Sequence, residues 1–237
     1  MNENYVLLID EDEFEKFYKH CVPELGPDEV FFISLSARNK YLTEQERRDL
    51  ELGRTEMFAR RLIRQRDFSR FTRTLHQLEV AEGGYLTKNN SNIPSKAIVV
   101  YFNINPSSTL KALQEFNSKV AEYQMELAQK ALKKADPSDT LARMNKLDVL
   151  LMNCYQRNQV KSYWMDIDFD IPKDRYDIVE ILLNDLKEKG VGYVVIDTKG
   201  GYHVLLNKKD LNYNFNESIK KCNEEANKSW PEGDWGE

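Results

Sequence analysis

Apolar residues recur every three or four positions in several segments, and this spacing predicts amphipathic helices. The longest helix is expected to begin at Asn105-Pro106, which supply a cap and a first-turn proline. Its apolar stripe is expected to be core: Leu110, Leu113, Val120, Tyr123 and Leu127. The polar break from Asp136 to Asp139 separates it from a second helix, and a third covers residues 176–189 and is closed by Gly190.

Short runs of β-branched and aromatic residues between turn-forming residues predict strands at 30–35, 97–104, 192–197 and 202–206. A further segment, residues 163–170, alternates apolar and acidic residues with a period of two, as a half-buried strand does. Helices and strands interspersed in this way predict an α+β fold with a mixed or antiparallel sheet. The C-terminal part is expected to follow the order strand, helix, strand, tight turn, strand.

Three aspartates are expected on one face of the acidic strand: Asp166, Asp168 and Asp170. Like charges held this close repel unless a cation lies between them, and carboxylate oxygens favour Mg²⁺ or Mn²⁺ over zinc. A solvated face of a half-buried sheet is the alternative interpretation. The spacing also resembles the start of an EF-hand calcium loop. This interpretation is excluded, because the loop requires glycine and glutamate at the positions of Ile171 and Asp177. We therefore predict a divalent-metal site.

A glycine-rich turn precedes the last predicted strand. Its paired glycines allow backbone N–H groups to approach an anion closely, Lys199 adds a positive charge, and His203 can donate to a phosphate oxygen. A tight hairpin also favours glycine, and a single histidine beside a hairpin is commonly structural. Combined with the acidic strand, the segment predicts a nucleotide-phosphate site: Thr198, Lys199, Gly200, Gly201 and His203.

The formal net charge of −5 conceals an uneven distribution along the chain. Residues 1–29 contain nine acids against two lysines, whereas residues 38–73 contain eleven Lys or Arg against six acids. A helix capped by Thr43 and Glu46 is expected to carry the arginines onward, with interruptions, to about residue 80. This helix presents either a solvated face or a contact for nucleic-acid phosphates, and the second interpretation assigns these residues to nucleic-acid binding: Arg38, Lys40, Arg60, Arg61 and Arg64.

Length, hydropathy and cysteine spacing exclude several classes of protein. With 237 residues, of which 41% are hydrophobic, the chain can bury a substantial core. No apolar run approaches the length of a membrane span, so we expect a cytoplasmic protein without a membrane partner. Cys21, Cys154 and Cys222 lack the spacing of a zinc site or a disulfide framework and are expected to be reduced and structural.

The acidic strand and the glycine turn together resemble motifs I and II of the archaeo-eukaryotic primase superfamily, the primase-polymerases. The matching residues are Asp166-x-Asp168 on a hydrophobic strand and Gly201-Tyr202-His203 on a later one. The likeness covers roughly residues 160–210, and the segments Leu35 to Tyr41 and Tyr101 to Pro106 are also similar to those of phage and plasmid members. The resemblance implies an RRM-like catalytic core with helical N-terminal and central insertions.

On this resemblance the chain is one primase-polymerase-like domain, 1–237, with an N-terminal lobe, 1–95, that carries the arginine-rich helix and a catalytic lobe, 96–237. Asp166, Asp168 and His203 are then catalytic, Mg²⁺ or Mn²⁺ is the cofactor, and the activity is template-directed nucleotide transfer in replication or repair. The implied partners are nucleoside triphosphates, single-stranded DNA or a primer-template, and a helicase or other replication protein. A phage-encoded member would act in the host cytoplasm.

One departure from the family pattern concerns the third metal-binding acid, which the family places on a strand after the histidine. Asp210 follows His203 closely and Asp234 lacks a surrounding strand pattern, whereas Asp170 is a substitute from the first motif. Two alternatives therefore stay open. One is an inactive or truncated replication-associated nucleic-acid-binding protein, and the other is a metal-dependent glycosyltransferase, which also uses an Asp-x-Asp pair.

Overall fold

A computed structural model describes residues 8–160, 163–211 and 214–229. The chain divides into two compact units, Met1–Lys161 and Ser162–Glu237. Both units contain antiparallel strands with helices packed against them, which confirms the predicted α+β class.

The boundary predicted after residue 95 falls inside the first unit, so the lobes 1–95 and 96–237 do not coincide with the compact units. The reason lies in the core. Ala112, Cys154 and Tyr155 pack against Val30 and Phe32. Because these later helices complete a core begun by an early strand, the two segments belong to one unit.

The first unit is built around β1 (Glu29–Arg38), whose first nine residues are buried. This strand pairs antiparallel with β2 (Thr55–Ile63) on one side and with β3 (Ile98–Phe102) on the other. At its start it also pairs with the two-residue β4 (Ser107–Ser108). The strand predicted at 30–35 is thus confirmed and extends further at both ends.

Helices cover both faces of this sheet. Side chains of alternate β1 residues project to opposite faces, so Phe31 packs with the first and third helices while Val30 and Phe32 pack with the fourth and sixth. The helices of the first unit are α1 (Glu11–Cys21), α2 (Glu44–Leu50), α3 (Phe68–His76), α4 (Thr109–Lys133), α5 (Ser138–Met144) and α6 (Leu147–Arg157).

The predicted arginine-rich helix is confirmed at its two ends, α2 and α3, and is wrong between them, where β2 forms. Thr43 forms the expected capping box with Glu46, but α2 ends at Leu50, and Glu51 adopts a left-handed conformation with φ of 49°. Arg60 and Arg61 then lie on β2, and Arg64 follows that strand. The sequence of β2 places apolar residues four apart, which suits a helix equally well, and pairing with β1 decides the outcome.

The start and the apolar stripe of α4 also differ from the prediction. Its N-cap is Ser108 rather than Asn105, because residues 107–108 first pair with β1. Ala112 is the residue of α4 that is fully buried, whereas Leu110 is 60% exposed. The five predicted stripe residues are therefore half-buried or exposed. The predicted second helix is divided into α5 and α6.

The second unit consists of β5 (Trp164–Phe169), α7 (Tyr176–Glu188), β6 (Tyr193–Thr198), β7 (Gly201–Asn207) and α8 (Asn216–Ser229). The predicted order of strand, helix, strand, turn, strand is confirmed, and the sheet order is β5-β7-β6 with antiparallel neighbours. Apolar residues of α7 and α8 pack against one face of this sheet. The opposite face is available for polar side chains.

Two further predictions concern the chain as a whole. No helix within the described residues is long and apolar enough to cross a membrane. The three cysteines all lie within the described residues and are buried thiols, as expected.

Candidate functional site

The pairing of β5 with β7 brings the two sequence motifs to one face of the second sheet. Asp168 lies directly opposite His203, and Asp166 lies opposite Leu205. Opposed residues of an antiparallel pair project to the same face, so both carboxylates and the imidazole share one surface. Met165 and Ile167 project to the other face, where they pack against the helices. The alternation predicted for the acidic strand is confirmed for these residues.

The imidazole of His203 contacts both carboxylates. Its Nδ1 lies 2.9 Å from each carboxylate oxygen of Asp166, and its Nε2 lies 3.5 Å from Oδ1 of Asp168. Because a carboxylate only accepts, Nδ1–H donates to Asp166. The hydrogen bond to Asp166 raises the pKa of His203 above its usual 6.5, and the charges of Asp168 and Asp170 add to this effect, while partial burial opposes it. The imidazolium thus compensates the negative charge of the strand.

Asp170 has a different position from that predicted. Strand β5 ends at Phe169, and the amide of Ile171 donates to the carbonyl of Phe169 over 2.9 Å, so the chain turns at Asp170. Two aspartates rather than three therefore alternate on the strand. The charge of Asp170 still contributes to the raised pKa of His203.

The donor set of the site suits a hard divalent cation. Side-chain exposure is 42% for Asp166 and 55% for Asp168, so both carboxylates are accessible from solvent. Within the described residues there is no group of three or more His, Cys, Asp or Glu side chains arranged to hold a metal ion. Mg²⁺ is commonly held by one or two carboxylates together with water and substrate phosphates, and Asp166 and Asp168 fit this mode.

The glycine turn is a two-residue hairpin loop, Lys199-Gly200, between paired Thr198 and Gly201. The hydroxyl of Thr198 donates to the carbonyl of Gly201 over 3.2 Å. The Lys199 side chain is largely exposed, yet the atoms around its ammonium remove enough water to lower its pKa. His203 follows this loop by two residues on β7, so the loop adjoins the carboxylates through the same strand.

Gly201 is required by packing. Its φ is +148°, and a Cβ at this position would lie 1.9 Å from the carbonyl oxygen of Phe169. The close approach of the segment after β5 to the start of β7 therefore excludes any side chain here. This requirement exists whether or not an anion binds.

Two supporting residues were missed by the sequence analysis. The hydroxyl of Tyr202 donates to the carbonyl of Lys173 over 2.8 Å, and Lys173 forms an ion pair with Asp197 on β6. These contacts tie the turn after β5 to the hairpin. The alternation along β7 places Tyr202 and His203 on opposite faces, and this is the signal by which Tyr202 could have been recognised as a support.

The candidate third acids lie elsewhere. Asp210 follows the end of β7, and its carboxylate lies 3.3 Å from where a Cβ of Gly192 would be, just before β6 begins. His203 is four residues from Asn207, the last residue of β7, which corresponds to roughly 13 Å. The Asp210 carboxylate is therefore beside the start of β6, and β7 lies between β6 and the aspartates of β5. Asp234 lies outside the described residues.

The predicted nucleic-acid contacts all belong to the first unit, and several are engaged within it. Arg60 donates to Oδ1 of Asn153 over 2.8 Å, and Arg61 donates to the carbonyl of Arg60 over 2.9 Å. Arg38 donates to the hydroxyl of Tyr101. The ammonium of Lys40 lies 5.3 Å from the ring centroid of Tyr41, and Arg64 is exposed.

Comparison with protein-family models, with curated proteins and with solved structures found no match to this chain. The resemblance to the primase-polymerases therefore stays a prediction based on the two motifs. The structure adds the placement of those motifs on adjacent strands, in contact with each other.

Proposed function

We propose that the chain is a divalent-metal-dependent nucleotidyltransferase of the primase-polymerase type, acting in DNA replication or repair. The observation that supports this proposal is the contact between His203 and the two aspartates of β5. His203 and Asp166 are separated by 37 residues in sequence, yet their side chains are hydrogen-bonded. A purely solvated acidic face gives no reason for the second motif to converge on the first.

In this proposal Asp166 and Asp168 hold Mg²⁺ or Mn²⁺, and their exposure leaves room for substrate oxygens beside them. The bound metal would activate an attacking hydroxyl and neutralise charge on the phosphate. His203 and Lys199 bind the triphosphate of the incoming nucleotide. His203 shares the face of β5 and β7 with both carboxylates, so its imidazole can donate to a phosphate oxygen held beside the metal.

Asp170 is the proposed substitute for the missing third acid. Its charge acts on the same imidazole as Asp166 and Asp168, and it leaves the strand at a turn rather than within a rigid ladder. A carboxylate at a turn can adjust its position more readily than one on a paired strand. Asp210, whose carboxylate lies beside Gly192 at the start of β6, is not part of the proposed metal site.

The deciding experiment measures extension of a primed template and synthesis on a bare template, with NTPs and dNTPs, in Mg²⁺ and in Mn²⁺. Asp168→Asn preserves shape and removes the charge, and we expect it to abolish incorporation. Asp177→Asn is the matched control, because Asp177 is an exposed aspartate of the same unit that pairs with Arg175. Full incorporation by Asp168→Asn, with the variant still folded, contradicts the proposal.

A second candidate is a replication-associated module that binds nucleic acid without turnover. It is favoured by one observation, namely that the strand itself supplies two carboxylates and Asp210 lies away from them. Salt-sensitive binding of single strands by the wild-type chain, with no incorporation in either metal, would support it.

A further inference from the structure

We infer that the outer face of the first sheet binds single-stranded nucleic acid by base stacking, through four side chains that we call the Tyr101 platform: Arg38, Met57, Arg60 and Tyr101. This inference names the strand-binding surface of the proposed function and rests on that function for its role. Its own evidence is confined to the first unit.

Strand register places the four side chains on one face. Arg60 of β2 and Tyr101 of β3 both lie opposite Ser34 of β1, from its two sides. Met57 lies opposite Ser36, and Arg38 is two residues further along β1 on the same face. The intervening β1 residues project to the other face and are buried in the core.

The side chains of the Tyr101 platform are exposed, whereas the strand residue beneath them is buried. Tyr101 is 41% exposed and Met57 is 39% exposed, whereas Ser36 beneath them is fully buried. Helices α4 and α6 cover the neighbouring end of the same face at Val30 and Phe32. Arg60 donates a hydrogen bond to Asn153 of α6, and this contact lies at the edge of the area that the helices cover.

The chemistry of the platform suits a nucleobase with its phosphate. The guanidinium of Arg38 lies over the Tyr101 ring, 5.8 Å from its centroid, and donates to its hydroxyl, so ring and guanidinium are ordered together. Bases stack on aromatic rings and on guanidinium planes. Guanidinium groups also pair with phosphate oxygens, and Arg38 and Arg60 place two of them on the face that carries the Tyr101 ring.

Length and charge favour a strand over a single nucleotide. From Ser34 to Arg38 the platform extends over four residues, roughly 13 Å, whereas one stacked ring pair needs about 4.5–7 Å. A guanidinium stands at each end. Among the described residues of β1, β2 and β3, none that projects to this face carries a carboxylate. Glu56 of β2 lies opposite Ala37 and projects to the opposite face of the sheet. A polyanion with several bases therefore matches the surface.

The experiment measures fluorescence anisotropy of a labelled twelve-residue oligo-dT with the full chain, in EDTA and without nucleotide. Tyr101→Ala is expected to weaken binding roughly 5- to 100-fold through loss of base stacking, whereas Tyr101→Phe keeps the ring and most of the affinity. The matched control is Tyr123→Ala, since Tyr123 also lies under an arginine, Arg143, at 4.8 Å, but on α4. We expect this control to bind like wild type.

Two results would overturn the inference: wild-type affinity of a folded Tyr101→Ala variant, or displacement of the oligonucleotide by dTTP as effectively as by unlabelled oligo-dT, which would indicate a site for a free nucleotide. Should Tyr101→Ala fail to fold, Arg38→Gln provides the test. It is expected to weaken binding and to reduce the slope of log affinity against log salt by about 0.7; an unchanged slope and affinity contradict the inference.

The assay separates this inference from the proposed function. Asp168→Asn is expected to bind oligo-dT normally in EDTA, because no metal is present and Asp168 belongs to the other unit. Absence of nucleotide incorporation by the wild-type chain, together with Tyr101-dependent binding, would reject the proposed function alone. Incorporation with Tyr101-independent binding would reject the platform alone.

Discussion

Gly201 illustrates how packing fixes a single residue beside the candidate site. We predict that Gly201→Ala destabilises the second unit by about 3 kcal/mol or more, since the added Cβ would meet the Phe169 carbonyl at 1.9 Å and φ is +148°. Urea unfolding followed by tryptophan fluorescence measures this effect. Trp164 of β5 reports the second unit, whereas Trp230 and Trp235 lie outside the described residues.

Two other glycines are matched controls for this substitution. A Cβ at Gly190 would lie in open space, but the φ of +67° disfavours alanine. Gly190→Ala is therefore expected to lower the free energy of unfolding by about 1 kcal/mol. Gly53, in the first unit, has open space and no positive φ, so Gly53→Ala is expected to be neutral or stabilising by up to about 1 kcal/mol when unfolding is followed by circular dichroism. Equal costs at Gly201 and Gly190 would show that the close approach to Phe169 does not constrain the chain.

His76 predicts a pH dependence of the first unit. It contacts Glu79 at 2.8 Å and Glu11 at 2.9 Å, and these contacts, the one to Glu79 first, raise its pKa above the usual 6.5. The folded-state pKa exceeds the unfolded value, so the contribution to stability is present below pH about 6.5 and is lost as the pH rises through the folded-state pKa. Since the ring is 37% exposed, we expect less than about 1 kcal/mol.

The measurement compares the free energy of unfolding of wild type and His76→Gln at acidic and alkaline pH by circular dichroism. The difference between the two proteins is expected to be larger at acidic pH. The contribution of His203 has the same sign but is present in both proteins and cancels. Glu11→Gln removes the weaker contact and should reduce the pH dependence only in part. A difference that is constant with pH contradicts the assignment.

At the scale of elements, the start of α4 depends on a side chain far away in sequence. Ser108 accepts from the amide of Lys111 over 3.0 Å and donates to Asp28, whose carboxylate also accepts from the amide of Leu110 over 2.7 Å. We predict that Ser108→Ala costs about 1–2 kcal/mol of stability in thermal or urea unfolding. Asn105→Ala is expected to cost less, and the reverse order would place the cap at Asn105.

The elements that sequence predicts well are those whose own pattern is unambiguous. Along β5 and β7 the alternation, the glycine turn and the flanking helix agree, so the order of elements along the chain and the shared face of Asp166 and Asp168 follow from the sequence. In β2 the apolar residues are spaced four apart and suit a helix, and only pairing with β1 decides. The start of α4 fails for the same reason, because Asp28 is 80 residues from Ser108.

Within the candidate site, too, the local pattern can be predicted from the sequence, whereas contacts between distant segments cannot. Period-two alternation fixes which residues share a face, but it does not reveal that β5 stops at Phe169 and leaves Asp170 in a turn. It also does not show that Gly201 is demanded by the Phe169 carbonyl, because that contact depends on backbone positions brought together by folding.

At the scale of the whole molecule, the two units have separate cores. One apolar cluster contains only residues of the second unit, and the other three contain only residues of the first. Stability changes at the acidic site are therefore expected in the transition of the second unit, which Trp164 of β5 reports. This separation allows metal binding to be detected without any assay of activity.

We predict that Mg²⁺ or Mn²⁺ raises the unfolding temperature reported by tryptophan fluorescence, because an ion that binds only the folded state stabilises it, by about 2.7 kcal/mol at a hundredfold excess over Kd. Asp168→Asn should lose this increment. Without metal, the same variant is expected to lie within about 1 kcal/mol of wild type, since relief of repulsion between exposed carboxylates opposes loss of the 3.5 Å contact with His203. Asp177→Asn, the matched surface control, should keep the increment. An equal increment in Asp168→Asn would place the metal elsewhere and remove the physical basis for the proposed transfer chemistry.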